Sequence, residues 1–374
     1  MSLASGHVTQ MRAEIAEQPA AAARTLDALM PLVGELRALA AGRRHIAFVA
    51  RGSSDNAAVY GRYLCELHAG RAGTLLSPSV ATHYHRRLDL DDTIVVCLSQ
   101  SGETAEIVET MQWARDCGGR TVAVANAANS PLAEGADLAL ITRAGPERAV
   151  PATKTYTCQL AALAVIGVAL GPEGDRLAHG LRRVPEAIAR LVDAPGDIDA
   201  AADALAADCS RMVVSGRGYT LATAQELSLK LLEACYLPSL GLSYADLLHG
   251  PVAVIDAATA ALIVAPPSGP MLPGLRDLAA RVHGRAAAVV GLGGDGALRA
   301  ECDHVLNGPD LPEALAPLAL TVPGQLLVEA LARRLGIDPD APRGLRKVTQ
   351  TDPAGSAASD NHPNSAPESP NKEI

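Results

Sequence analysis

The sequence predicts an α/β protein made of two tandem doubly wound parallel sheets, and three observations predict it. The chain has 374 residues, too many for one ordinary core and suited to two domains of roughly 150 residues each. Apolar residues make up 48% of it while aromatics reach only 2%, so the core is packed from Ala, Val, Leu and Ile, as helices on a parallel sheet require. Finally, short apolar runs followed by turn residues and helix-length stretches occur twice at a nearly constant offset, the mark of an internal duplication.

In the first copy a strand at 46–50 leads into Arg51-Gly52-Ser53-Ser54 and an Ala-rich helical stretch. In the second, 212–215 leads into Gly216-Arg217-Gly218 and another helix, with Gly52 and Gly218 166 positions apart. The next strands, 93–98 and 260–265, run into Ser99-Gln100-Ser101-Gly102 and Pro266-Pro267-Ser268-Gly269, placing Ser101 and Ser268 167 apart. Third strands are predicted at 121–125 and 286–290, after Gly119-Arg120 and Gly284-Arg285, at an offset of 165. Such alternation means parallel sheets with crossover helices, and in these sheets ligands collect beyond the carboxyl ends of the strands. The expected organisation is an N-terminal arm (1–23), a first domain (24–195), a second (196–340), a C-terminal catalytic segment (341–352) and a disordered tail (353–374). In that tail Ser, Asn, Pro and Asp replace the apolar residues a core needs.

A formal charge of −9 with scattered Arg residues argues against a nucleic-acid partner. Seven cysteines without a CxxC pair point to reduced thiols. No apolar run reaches about 18 residues without a charge, and no signal-peptide layout opens the chain. A cytoplasmic protein with no membrane partner is therefore expected. His83 and His85 lack convincing ligand spacing, so no metal is assigned.

Ser99 to Thr104 follows a buried strand and opens a helix, so backbone N–H groups and hydroxyls converge where an anion binds. With no Lys and no GxxxxGK, the loop suits a phosphate monoester rather than a triphosphate with Mg²⁺. Helix capping alone explains a single Ser; three hydroxyls, an amide and a Gly in six residues, with Ser53 and Ser54 on the neighbouring loop, exceed it. Pro266 and Pro267 donate no N–H, so only the first copy is equipped for phosphate. Gly291-Leu292-Gly293-Gly294-Asp295-Gly296 matches a dinucleotide pattern but follows a third strand rather than a first, and is read as a Gly-rich turn.

Glu226, Lys230 and Glu233 stand at i, i+4 and i+7 on one helical face. A solvated salt-bridge ladder would read the same way. His249 precedes Gly250-Pro251, where a loop could present the imidazole, though a lone loop His is more often incidental.

With these residues in view, the chain resembles the SIS-domain sugar isomerase family, in particular the isomerase half of glucosamine-6-phosphate synthase and the stand-alone SIS deaminases related to it. The resemblance runs from Met11-Arg12-Ala13-Glu14-Ile15-Ala16-Glu17-Gln18-Pro19 through SQSGET, Thr153-Lys154, 226–236 and Leu248-His249-Gly250-Pro251. It ends at Pro342-Arg343-Gly344-Leu345-Arg346-Lys347, covering residues 11 to about 352. It implies that Ser54, Ser99, Gln100, Ser101 and Thr104 hold a sugar phosphate, with Val150 offering backbone contacts and Glu226 and Glu147 lining the site. Glu233 would move a proton between C1 and C2, Lys230 would bias its ionisation, His249 would assist ring opening, and Lys347 would form a Schiff base with the ketose carbonyl.

No cofactor is implied. A homodimer is, with the loop His entering the neighbouring subunit's site. Because the matching motif begins by residue 11, no glutaminase domain is expected ahead of it, and conversion of glucosamine 6-phosphate to fructose 6-phosphate and ammonia is the expected reaction. A fructosamine-6-phosphate deglycase and a non-catalytic sugar-phosphate regulator are the alternatives. Arg51, Ala152 and Asp246 depart from the synthase pattern.

Overall fold

The computed structural model describes residues 8–347. The expected tail at 353–374, the end of the expected catalytic segment (348–352) and residues 1–7 of the expected arm lie outside the described residues.

Among the described residues, ten strands form two five-stranded sheets. The first holds β1 (His45–Val49), β2 (Gly73–Leu75), β3 (Thr93–Leu98), β4 (Arg120–Ala125) and β5 (Leu138–Ile141). The second holds β6 (Arg211–Gly216), β7 (Ser239–Ser243), β8 (Thr259–Ala265), β9 (Val289–Gly293) and β10 (His304–Leu306). The orders are β2-β1-β3-β4-β5 and β7-β6-β8-β9-β10, the same path twice and parallel throughout. This is the tandem doubly wound architecture expected from the repeat. Strand order reverses between β1 and β3, and between β6 and β8, so each sheet has a switch point where crossover loops diverge and leave a crevice.

One strand differs from expectation. The third strand of the second copy begins at Val289, not at 286, and Gly291 to Gly293 lie within it. The GxGxxG segment is therefore the end of a strand plus the turn after it, not a turn alone. Paired residues Ile94 and Arg120 are 26 apart, whereas Ala261 and Val289 are 28 apart, so the offset is not constant here. Gly291 fits inside the strand because a Cβ there would press on Cys302 Sγ at 2.8 Å.

The central strands are buried along their whole length, and alternate side chains serve different cores. Ile46 and Phe48 point into a large cluster shared by both halves, Ala47 and Val49 into a smaller outer one. Four helices, Ser53–His68, Lys154–Leu170, Thr220–Cys235 and Ala316–Arg334, lie between the sheets and contact one another. The 154–170 helix is buried from Lys154 to Ala169, as a helix apolar on every side must be. Among the described residues, 313–334 is the one segment long and apolar enough to cross a membrane, and 94% of its apolar window is buried inside the protein. Cross-half hydrogen bonds from Tyr60 Oη to the Ala314 carbonyl (2.8 Å) and from Tyr156 Oη to the Ala222 carbonyl (3.3 Å) stitch the helical layer.

Candidate active site

A cavity of ≈ 380 Å³ opens at the switch point of the first sheet, within the range of about 300–1,000 Å³ usual for small-molecule sites. Its walls come from four places: the loops after β1 and β3 with the helix starts that follow them, the 142–153 loop through Glu147, Val150 and Ala152, the 220–235 helix of the second half, and the C-terminal segment ending at Lys347.

The loop after β3 is shaped by its own hydroxyls. Ser99 Oγ accepts the Gly102 N–H at 3.2 Å and lies 3.2 Å from Thr104 Oγ1, while Ser101 Oγ accepts the Glu103 N–H at 3.2 Å. A hydroxyl accepting a backbone N–H keeps its own proton to donate. Gly102 sits at φ 68°, and a Cβ there would run into Ser130, so glycine is required. Thr104 makes no side-chain cap on the 105–116 helix it precedes, so capping does not account for its hydroxyl. On the adjacent loop, Gly52 takes φ 57° before the 53–68 helix, and Ser54 Oγ is held by Gln159 Nε2 at 2.9 Å.

Facing this loop, the 220–235 helix presents Lys230 and Glu233. Lys230 Nζ is bonded to Glu233 and lies 3.5 Å from Glu226 Oε1. Glu226 and Lys230 are 0% and 1% exposed and Glu233 23%, so this is no solvated ladder. Burial alone would push the Lys230 ammonium down, but Glu226 and Glu233 outweigh it and hold it above its ordinary range. Burial drives the Glu226 carboxyl up to about 7, against the opposing pull of Lys230 and of an Asn56 amide donating at 2.9 Å. Glu226 sits behind the cavity, at the junction with the 53–68 helix.

Lys347 enters from the C-terminal segment. Its Nζ lies 2.6 Å from Glu147 Oε2 and donates to the Ala149 carbonyl at 2.8 Å. Burial would raise the Glu147 carboxyl, but the Lys347 charge and hydrogen bonds from Lys347 and Thr155 hold it below its ordinary value. The cavity thus joins hydroxyl donors, a buried ammonium–carboxylate pair and a second lysine: groups that bind an anion, move a proton and form an imine.

Comparison with known proteins follows the same lines. The SIS domain model matches residues 40–169. The glutamine–fructose-6-phosphate aminotransferase (isomerizing) of Methanothermobacter thermautotrophicus is 34% identical over 350 residues, covering 93% of this chain and 58% of that protein. The C-terminal domain of the glucosamine-fructose-6-phosphate aminotransferase of Francisella tularensis superposes with a TM-score of 0.81 at 27% identity, over 91% of this chain and all of that domain. A structure described as a phosphosugar isomerase from Silicibacter pomeroyi reaches a TM-score of 0.81 at 33% identity, over 89% of this chain and 100% of that one. The chain belongs to the SIS-domain sugar isomerase family. It is related to the isomerising part of the aminotransferases, and it spans about 58% of the length of the curated relatives it matches.

Within this SIS protein the structure gathers Ser54, Ser99, Gln100, Ser101, Thr104, Glu147, Val150, Lys230, Glu233 and Lys347 around one cavity. Two expected site residues are not on its wall. Glu226 is behind it. His249 is exposed at the end of the Tyr244–Leu248 helix, its Nδ1 2.6 Å from the Ala245 carbonyl, and it does not reach the cavity of its own chain. Val150 does, but its N–H is already donated to the Asp340 carbonyl at 3.3 Å, leaving its carbonyl as the backbone group on offer. The sequence reading gave no role to Asn56 on Glu226, to Glu14, which holds the 148–149 loop from more than a hundred residues away, or to Asp340, whose carboxylate takes the Gln10 N–H at the start of the 10–16 helix. Only the quoted motif around Glu14 signalled any of them.

Proposed function

We propose that this protein converts glucosamine 6-phosphate to fructose 6-phosphate and ammonia by aldose–ketose isomerisation. The observation that carries the proposal is the single cavity in which the Ser99–Thr104 hydroxyls from one half face the Lys230–Glu233 pair from the other, with Lys347 beside them. Ser54, Ser99, Gln100, Ser101 and Thr104 hold the phosphate, in the manner of neutral donors around a monoester. After ring opening, Glu233 takes the C2 proton as O1 gains one, giving an enolamine. Return of a proton to C1 leaves an imine at C2. Lys347, its own proton released, attacks C2 and expels ammonia. Water then hydrolyses the lysine imine and frees the ketose. Supplied with the amino sugar and no ammonia, mass action favours this direction.

His249 lies away from its own chain's cavity, so its part in ring opening is assigned to a second copy of the chain, and the working unit is a homodimer. A second reading is favoured by Arg51, which is on the cavity wall with its Nε and Nη2 paired to Glu106 at 3.0 and 2.8 Å; its remaining N–H groups would offer a donor to a carboxylate on an N-substituted fructosamine 6-phosphate. Purified protein given each substrate separates the two: ammonia from glucosamine 6-phosphate supports the first, released amino acid from the fructosamine supports the second, and neither product leaves only a binding protein.

A further inference from the structure

We infer that Glu14 is a positioning residue for Lys347, acting through the backbone of Arg148 and Ala149; the inference rests on the role given to Lys347 above. The loop between β5 and the 154–170 helix has no regular structure from 142 to 153, yet it supplies Glu147, Val150 and Ala152 to the cavity wall. Irregular backbone beside a cavity needs partners from elsewhere. At its start Asn126 holds Ala144 N–H and the Gly145 carbonyl, at 2.8 and 2.9 Å. At its end Glu147 accepts from Thr153 and Thr155 N–H groups, at 2.9 and 3.1 Å.

The middle is held by Glu14, 134 residues away in sequence, whose carboxylate accepts Arg148 N–H at 2.5 Å and Ala149 N–H at 3.3 Å. Ala149 is therefore gripped through its N–H by Glu14 while its carbonyl takes Lys347 Nζ at 2.8 Å. One residue separates the anchor from the lysine.

The energetics agree with a positioning role. Glu14 is 1% exposed, and among the described residues it has no ion pair within salt-bridge distance; burial raises its carboxyl, opposed first by the Arg148 N–H. A buried carboxylate is expensive unless donors surround it. An apolar side chain would serve packing at lower cost, but it would leave two loop N–H groups unbonded and the Ala149 carbonyl free to turn.

The test uses the full chain as wild type, Glu14→Gln and Glu14→Ala. Three quantities are measured: backbone amide exchange, the rate at which borohydride traps fructose 6-phosphate on Lys347, and fructose 6-phosphate affinity without borohydride. Loss of hydrogen bonds to a charged acceptor should speed exchange at Arg148 and Ala149, and slow trapping, by about 10-fold in Glu14→Ala and by less in Glu14→Gln. Affinity should stay within about threefold, because the phosphate loop is untouched, and exchange in β3 should not change. Unchanged exchange at 148–149, trapping within about twofold of wild type, or a uniform loss of protection across the chain in both variants overturns the inference. If wild type itself does not trap the sugar, the Lys347 assignment falls, and the exchange result alone decides whether Glu14 holds the loop.

Discussion

The two halves share a fold but not a mouth. Beyond β3 the first sheet ends in Ser99-Gln100-Ser101-Gly102, an open loop rich in donors that borders the cavity. Beyond β8 the second ends in Pro266-Pro267-Ser268-Gly269, where two residues lack an N–H and the Glu313 carboxylate packs so tightly on Gly269 (φ 119°) that a Cβ would collide with it. Where ionised, that carboxylate repels an anion, although burial raises the Glu313 carboxyl and so favours its neutral form. The helices differ in the complementary sense. The 53–68 helix brings Ser54 and Asn56, whereas its counterpart at 220–235 brings Glu226, Lys230 and Glu233. The two copies thus carry equivalent crevices, and in the proposed function the first copy supplies the phosphate-binding hydroxyls and the second the acid–base groups, meeting across the central helical layer.

The largest effect that sharpens this division is on the catalytic side. Glu233→Gln should lower turnover of glucosamine 6-phosphate by about 10² to 10⁴ while leaving its binding within about threefold, because only proton transfer is lost. Steady-state kinetics beside calorimetric binding checks both, and undiminished turnover would remove Glu233 as the base.

Next comes the buried carboxylate behind the cavity. Glu226 holds its proton up to about pH 7 when folded but releases it near its ordinary 4.5 when unfolded. Between those values the folded state binds more protons, so this group's contribution to stability falls as pH rises from about 4.5 to 7. Glu226→Gln cannot lose that proton. The decline in unfolding free energy from pH 5 to pH 8 should therefore be shallower in the variant, by up to about 2–3 kcal/mol; identical slopes would contradict the assigned ionisation.

On the binding side, Ser101→Ala should weaken phosphorylated sugars about 10-fold and leave unphosphorylated glucosamine unaffected, the size expected for one hydrogen bond to a charged group. Equal losses for both sugars would speak against a phosphate contact. Smallest of all, Ser268→Ala, at the matching place in the second half, should change turnover and affinity by less than about twofold. A larger change would mean that the second mouth also takes ligand.

Much of this was legible in the sequence because its signals are local. The SQSGET loop lies between a strand and a helix, and Glu226, Lys230 and Glu233 share a face by spacing alone. The start of β9 was not, since the Ala run at 286–288 continues the apolar signal without a break: Ala287 N–H and the Ala288 carbonyl already bond β8 neighbours Thr259 and Ala261. Burial of the Glu226–Lys230 pair was illegible too, because an exposed ladder has the same spacing; what buries it is the 53–68 helix, 170 residues away at the Asn56 contact. The grip of Glu14 on 148–149 and the distance of His249 from its own cavity are likewise properties of tertiary geometry.

Deuterium exchange tests the central claim, that one cavity both holds the sugar phosphate and moves a proton between its first two carbons. Fructose 6-phosphate incubated with the protein in D₂O should gain deuterium at C1, followed by proton NMR, and Glu233→Gln should abolish the gain. A wild-type protein that binds fructose 6-phosphate yet leaves C1 unlabelled would contradict the account.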